Sequence, residues 1–174
     1  VARIADMLEH PGEAFDYNGQ RLTYPDIGLV YWAGGNPFHH HQDLNRLRKA
    51  WQAPQTVIVN ESFWTATARH ADIVFPVSTF LERNDIGGSA YDEYLTPMRA
   101  AVPPFAEART DFAVFSGLAE RLGFGEAFTQ GRNEKAWVEH ISWGPTWSPK
   151  SDQVGSKSLK NRRPKKQLIF KRFV

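Results

Sequence analysis

At 174 residues, 41% hydrophobic and 23% charged, the chain is too apolar for wholesale disorder and long enough for one sizeable core rather than two full domains. The absence of cysteine excludes disulfides, thiolate metal sites and thiol nucleophiles without fixing a compartment. The net charge of +2 hides an asymmetry, because Lys150 to Arg172 holds nine Lys or Arg against the single acid Asp152, so the preceding chain is net acidic.

The N-terminus, VARIADMLEHPG, has no initiator Met, no basic stretch leading into an apolar one and no apolar run of about 18 residues. It reads as the middle of a longer polypeptide. Ile4, Met7 and Leu8 form one short amphipathic pattern ended by His10-Pro11-Gly12, and YNGQRLTYPD follows with an Asn18-Gly19 hairpin turn. Residues 1–26 are expected to be a surface lead-in.

From Ile27 the texture changes. Ile27 to Ala33 is a buried-strand candidate, Asp43 to Trp51 carries Leu44, Leu47 and Trp51 at helical spacing, and Thr56 to Val59 is a second strand. Thr65 to His70 can form a short helix, and Asp72-Ile73-Val74-Phe75-Pro76 is a third strand stopped by its proline. Near-continuous apolar strands joined by helices predict an α/β fold: a Rossmann-like, mostly parallel sheet with helices on both faces. Residues 77–109 look irregular, with turns at Asn84-Asp85, Gly87-Gly88 and Pro103-Pro104. Thr110 or Asp111 then caps a helix bearing Phe112, Phe115, Leu118, Ala119 and Leu122 and closed by Gly123, and Trp137, Val138 and Ile141 predict one more.

The first strand runs into GGNPFHHHQ, residues 34–42. A glycine pair there allows a sharp turn and removes the Cβ atoms that would hold a ligand off the main chain. At the carboxyl edge of a parallel sheet, Gly34, Gly35 and Asn36 could cradle a phosphate against the N–H groups of the next helix. A plain tight turn fits the same residues, since GGNP is neither of the established phosphate-loop patterns. His39, His40 and His41 invite a metal reading, but adjacent histidines point apart, whereas zinc ligands come from spaced positions. One of them is expected to hydrogen-bond a ligand while the others pack or face water. The second strand ends Val59-Asn60-Glu61, an acid placed to accept from ribose hydroxyls or a base edge, or else a surface carboxylate. Arg83 could pair with a phosphate and Asp111 could accept both N–H groups of a guanine edge; either could equally sit in a surface ion pair.

Residues 31–86, with GGNP, HHQD, FWTATARHADIVFP and ERND, closely resemble the dimethyl sulfoxide reductase family of molybdopterin enzymes, nearest to the trimethylamine-N-oxide, dimethyl sulfoxide and biotin sulfoxide reductase group, and residues 98–123 continue the likeness. The resemblance runs from about Val1 to His140. It implies an incomplete piece of a larger multidomain oxidoreductase, in which residues 27–143 form the α/β domain holding one guanosine end of bis(molybdopterin guanine dinucleotide). By the family pattern the contacts are Gly35, Asn36, His40, Gln42, Asn60, Glu61, Arg83 and Asp111. The implied reaction is two-electron reduction of a small S-oxide or N-oxide, with oxygen-atom transfer to molybdenum, in the periplasm for trimethylamine-N-oxide reductases of this type or in the cytoplasm for biotin sulfoxide reductases. Its partners are the cofactor, that substrate and the remaining domains of the enzyme. No catalytic residue or metal ligand is assigned here, because the molybdenum ligand of the group is a serine in another domain, so the piece alone is expected to be inactive. The likeness fails after about Trp143, where residues 144–174 form a basic, aberrant or disordered tail suggesting a shifted reading frame. A competing reading makes that tail a nucleic-acid-binding module, testable by steep salt dependence.

Overall fold

The computed structural model describes residues 3–88, 94–143 and 157–158. The chain divides into two compact units, with the break between Val77 and Ser78.

In the first unit, α1 (Ile4–Glu9) precedes the hairpin β1 (Ala14–Tyr17) and β2 (Gln20–Thr23). Asn18 and Gly19 both take positive φ, 49° and 74°, as the tight hairpin turn requires. β3 (Leu29–Ala33), α2 (Pro37–His40), α3 (Leu44–Ala50), β4 (Thr56–Glu61), a single 3-10 turn at Ala68–His70 and β5 (Ile73–Pro76) follow. β3, β4 and β5 make a parallel sheet in that order, with Val30 opposite Val57, Trp32 opposite Val59 and Ala33 opposite Asn60. That register puts Val30, Trp32, Val57 and Val59 on one face. Against it pack Leu47, Ala50 and Trp51 of the α3 region, Phe38 of α2, and Ala5 and Leu8 of α1. Leu47 and Val59, at 0% and 1% exposed, anchor this core, and burying each such side chain contributes about 1.5 to 3 kcal/mol. The opposite face carries Tyr31, Ile58, Asn60 and Phe75, which follows from the alternation of a strand.

The first 26 residues are therefore not all surface lead-in. The hairpin strand β2 is exposed throughout, but α1 is part of the core and is clamped to α3 by Arg46, whose Nη2 reaches Asp6 at 2.5 Å and Glu9 at 2.6 Å. Asp43 caps α3 by accepting from the Arg46 amide at 3.0 Å, from a left-handed backbone with φ 49°.

The second unit holds an antiparallel sheet, β6 (Asp85–Gly88), β7 (Tyr94–Met98) and β8 (Lys157–Ser158), and three helices, α4 (Asp111–Arg121), α5 (Gly125–Thr129) and α6 (Glu134–Trp143). Residues 85–88 and 94–98, expected to be irregular, pair instead as strands; Gly87 is not a turn glycine, for a Cβ there would lie 3.2 Å from the Met98 sulfur. Thr110 caps α4, as the sequence predicts, accepting from the Ala113 amide at 3.1 Å, and Gly123 ends the helix region with φ 83°. The loops before α4 are gathered by Glu82, which accepts from the Thr79 amide at 2.7 Å, the Thr79 hydroxyl at 2.9 Å and the Phe105 amide at 3.0 Å. These bonds, the Thr79 amide first, hold the Glu82 carboxyl below its ordinary range. No helix among the described residues is long and apolar enough to cross a membrane. The basic tail lies outside the described residues except for Lys157 and Ser158.

Candidate functional site

The carboxyl edge of the parallel sheet in the first unit collects four of the site residues singled out from sequence, Gly35, Asn36, Asn60 and Glu61. β3 leaves the sheet at Ala33 and turns through Gly34 and Gly35, whose φ values of 78° and 75° are left-handed and favour glycine. The Trp32 indole N–H donates to the Gly35 carbonyl at 3.1 Å and fixes the turn. A Cβ built on either glycine meets nothing within 4 Å, so the space over the turn is open. Asn36 follows as the residue before α2 and accepts a hydrogen bond from the Thr67 hydroxyl. Ala33 pairs with Asn60, so the end of β4 lies beside this turn. Asn60 is buried, 5% exposed, and its Oδ1 accepts from the Tyr31 hydroxyl at 2.9 Å. Glu61 takes the Ser62 amide on one oxygen and the Thr65 hydroxyl on the other, each at 3.0 Å.

One loop, residues 62–67, thus reaches back to both Glu61 and Asn36. Thr65 and Thr67 belong to the site although neither was singled out from sequence; only the spacing of hydroxyls in FWTAT could have hinted at them. Asp72 in the adjoining HAD motif has a structural role, with its carboxylate accepting from the Val57 amide at 2.8 Å.

The histidine run separates. His39 and His40 end α2 and are exposed, and Gln42 is exposed after it, while His41 is buried at 8%. α2 is a single turn whose first residue is a proline without an N–H, so it does not supply the row of amides that a phosphate-binding helix start offers. The polar groups at this edge are side chains.

In the second unit Arg83 and Asp111 come together, Nη1 to Oδ2 at 4.0 Å. Arg83 also donates from Nε to Asp85 at 2.8 Å and from Nη1 to the Ser78 carbonyl at 2.8 Å, so the fork expected to meet a phosphate already engages protein acceptors. These residues line a cavity of about 310 Å³ with Glu134, Phe112, Trp137 and Val138. Burial pushes the Glu134 carboxyl up, against the Thr110 hydroxyl bond and the Arg83 charge that hold it down; Asp85 adds to the rise. Three carboxyls facing one guanidinium suit a ligand edge rich in N–H donors better than a phosphate. Glu134 was not among the residues expected here.

Residues 6–121 match the family model described as molybdopterin oxidoreductase. The chain is 52% identical over 141 residues to biotin sulfoxide reductase of Cereibacter sphaeroides, aligning over 81% of this chain and 19% of that protein. It is 54% identical over 139 residues to dimethyl sulfoxide/trimethylamine N-oxide reductase of the same organism, 79% of this chain and 17% of the relative. It is also 54% identical over 143 residues to trimethylamine-N-oxide reductase of Haemophilus influenzae, 81% of this chain and 17% of the relative. The chain therefore spans less than a fifth of the length of these curated relatives. Among solved structures, acetylene hydratase from Pelobacter acetylenicus superposes with a TM-score of 0.58 at 21% identity, covering 67% of this chain and 16% of that one, which is a likeness of fold. The extent of the family match, together with these identities, makes the chain a member of the molybdopterin oxidoreductase family.

Proposed function

We propose that this chain is the part of a molybdenum-dependent S-oxide or N-oxide reductase that holds one guanosine end of bis(molybdopterin guanine dinucleotide), with residues 27–143 forming the binding domain. Family membership implies a molybdopterin cofactor; the oxide substrate is carried over from the names of the relatives, and the guanine dinucleotide form and a periplasmic location from the sequence resemblance. The observation that carries the reading is the edge of the parallel sheet: an open Gly34-Gly35 turn beside Asn36, Asn60 and Glu61. Sheets of this kind bind nucleotides at that edge.

The residues fit such a group by their chemistry. In the first unit Gly35 admits close approach, Asn36 and Asn60 offer amides, Glu61 is an acceptor for ribose hydroxyls, and the exposed His40 and Gln42 can donate. In the second unit Asp111 accepts from the guanine N–H edge while Arg83 balances the carboxyl charge around it. When bound, the molybdenum centre supplies the two-electron reduction of an S–O or N–O bond. This chain's residues bind and orient the nucleotide end and contribute no reacting group, so alone the chain should not turn over substrate.

The test is a titration of the isotope-labelled chain with guanosine diphosphate, followed through its backbone amide resonances, with adenosine diphosphate as the comparison. Saturable shifts at residues 34–36, 60–61 and 111, stronger for the guanine nucleotide, are expected. Equal shifts with both nucleotides, or shifts confined to other residues, would reject the assignment.

A further inference from the structure

Thr67 is completely buried, and its hydroxyl lies against the Asn36 amide. A buried hydroxyl carries one proton that must find an acceptor. Among the described residues the acceptor within reach is Asn36 Oδ1. Were the amide turned over, Thr67 would accept from the Asn36 nitrogen and its own proton would be left buried without a partner, at a substantial cost. The Thr67 hydroxyl therefore fixes which end of the Asn36 amide is spoken for. Asn36 itself is half-exposed, and its amide nitrogen has no hydrogen-bond partner among the described residues. It is the nitrogen, then, that faces outward beside the open Gly34-Gly35 turn.

We infer that Thr67 is a positioning residue that sets Asn36 to donate, so that the ligand group read by Asn36 is a hydrogen-bond acceptor, a phosphate oxygen of the nucleotide rather than an N–H of the base. The inference rests on the proposed nucleotide-binding reading and adds a polarity to it. Thr67 does not touch the ligand; it acts through the amide. The neighbouring hydroxyls follow the same logic, because Tyr31 donates to Asn60 and Thr65 to Glu61, each to a side-chain oxygen at the same sheet edge. Thr67 differs from them in being wholly enclosed, which leaves its proton no water as an alternative partner.

The experiment measures affinity of the full 174-residue chain for guanosine diphosphate and for guanosine, in the unsubstituted chain and five variants, with the melting temperature of each recorded alongside. Asn36→Asp keeps an oxygen for Thr67 to donate to but replaces the outward donor by a charge that repels phosphate. It should weaken guanosine diphosphate about tenfold or more, in line with one lost charge-assisted hydrogen bond, while guanosine changes little. Thr67→Val, of matching shape without the hydroxyl, should weaken guanosine diphosphate severalfold, and Thr67→Ser should restore it. In the Asn36→Ala background, adding Thr67→Val should cost no further affinity, because the residue works only through the amide.

Native affinity for guanosine diphosphate in Asn36→Asp would overturn the donor polarity. An equal loss for guanosine would move the contact to the nucleoside. A further loss on adding Thr67→Val to Asn36→Ala would reduce Thr67 to a purely structural residue. If the unsubstituted chain binds neither probe, it is the nucleotide-binding reading that fails, and this outcome is distinct from the other three.

Discussion

Replacing Gly35 by Ala separates the two reasons a glycine can stand in the 34–35 turn. Its φ of 75° is left-handed, and a residue with a Cβ is strained there by about 1 to 2 kcal/mol. The added Cβ meets no protein atom within 4 Å, so no clash adds to that strain. Alanine also restricts the unfolded chain, which returns about 0.4 to 1 kcal/mol. The net loss should be about 1 kcal/mol, a fall of several degrees in the melting temperature of a unit this small. Gly28→Ala is the control, because Gly28 is likewise uncrowded but has no left-handed φ, and it should be neutral or slightly stabilising. Gly35→Asn should fall between, since Asn tolerates the left-handed region. Circular dichroism melts of the three variants give the folding part. Any loss of guanosine diphosphate affinity in Gly35→Ala beyond what unfolding explains then measures a ligand occupying the space that the protein leaves open. A Gly35→Ala protein as stable as the native one, or a Gly28→Ala protein damaged to the same degree, would refute the reasoning.

The core, the caps and the acidic cavity give three more. Leu47→Ala, at a wholly enclosed site between α1, α3 and β4, should cost about 2 to 5 kcal/mol in urea unfolding, whereas the half-exposed Leu44→Ala should cost far less. Asp43→Ala removes the cap of α3 from a left-handed position and should cost about 1 to 2 kcal/mol, while Asp43→Gly, free of the φ strain, should cost much less in the same measurement. Glu134 has its folded-state carboxyl pushed up by burial, so the folded state holds the proton more tightly than the unfolded one. Stability should therefore fall as pH rises from the ordinary carboxyl range through the raised value, and Glu134→Gln should flatten that part of the pH profile and melt higher at neutral pH.

How much of this was visible in the sequence follows from how locally each feature is determined. The three strands of the parallel sheet were legible because each is an apolar run of strand length, although only β4 is buried and β3, expected to be buried, is half-buried or exposed along its length. The α4 cap was legible because Thr110 acts on an amide three residues away. α1 was read as surface because six residues give too little periodicity to show that Ala5 and Leu8 are enclosed; what encloses them is α3, some forty residues later. The β6–β7 pairing was lost behind Asn84-Asp85 and Gly87-Gly88, which signal turns in isolation. At Gly87 the true cause is the closeness of Met98 across the strands, a contact no local pattern carries. Asn36, Asn60 and Glu61 stood out because they sit at strand ends. The hydroxyls that orient them did not, because Tyr31 acts on a residue in the next strand and Thr67 on one thirty-one positions back.

The two units differ in the polarity they present, and that difference makes a prediction of its own. In the first, the Thr67 hydroxyl occupies the Asn36 oxygen, so the Gly34-Gly35 turn at the sheet edge is biased toward donation. In the second, Asp85, Asp111 and Glu134 share a cavity with Arg83, and the Arg83 guanidinium is held by Asp85 and the Ser78 carbonyl, so that cavity is biased toward acceptance. Inorganic diphosphate is an anion that presents mainly acceptor oxygens, and guanosine offers an N–H edge. Titrated separately, diphosphate should shift the amide resonances of residues 34–36 and leave those of 83–86 and 110–112 in place, whereas guanosine should shift the 110–112 group. The diphosphate response should weaken steeply with added salt, since it is an interaction of charge with exposed donors. The guanosine response should hardly change with salt, because a neutral edge meeting carboxylates exchanges hydrogen bonds without neutralising an ion. Diphosphate acting first on the 110–112 group would mean that Arg83, and not the carboxyls around it, sets the character of that cavity.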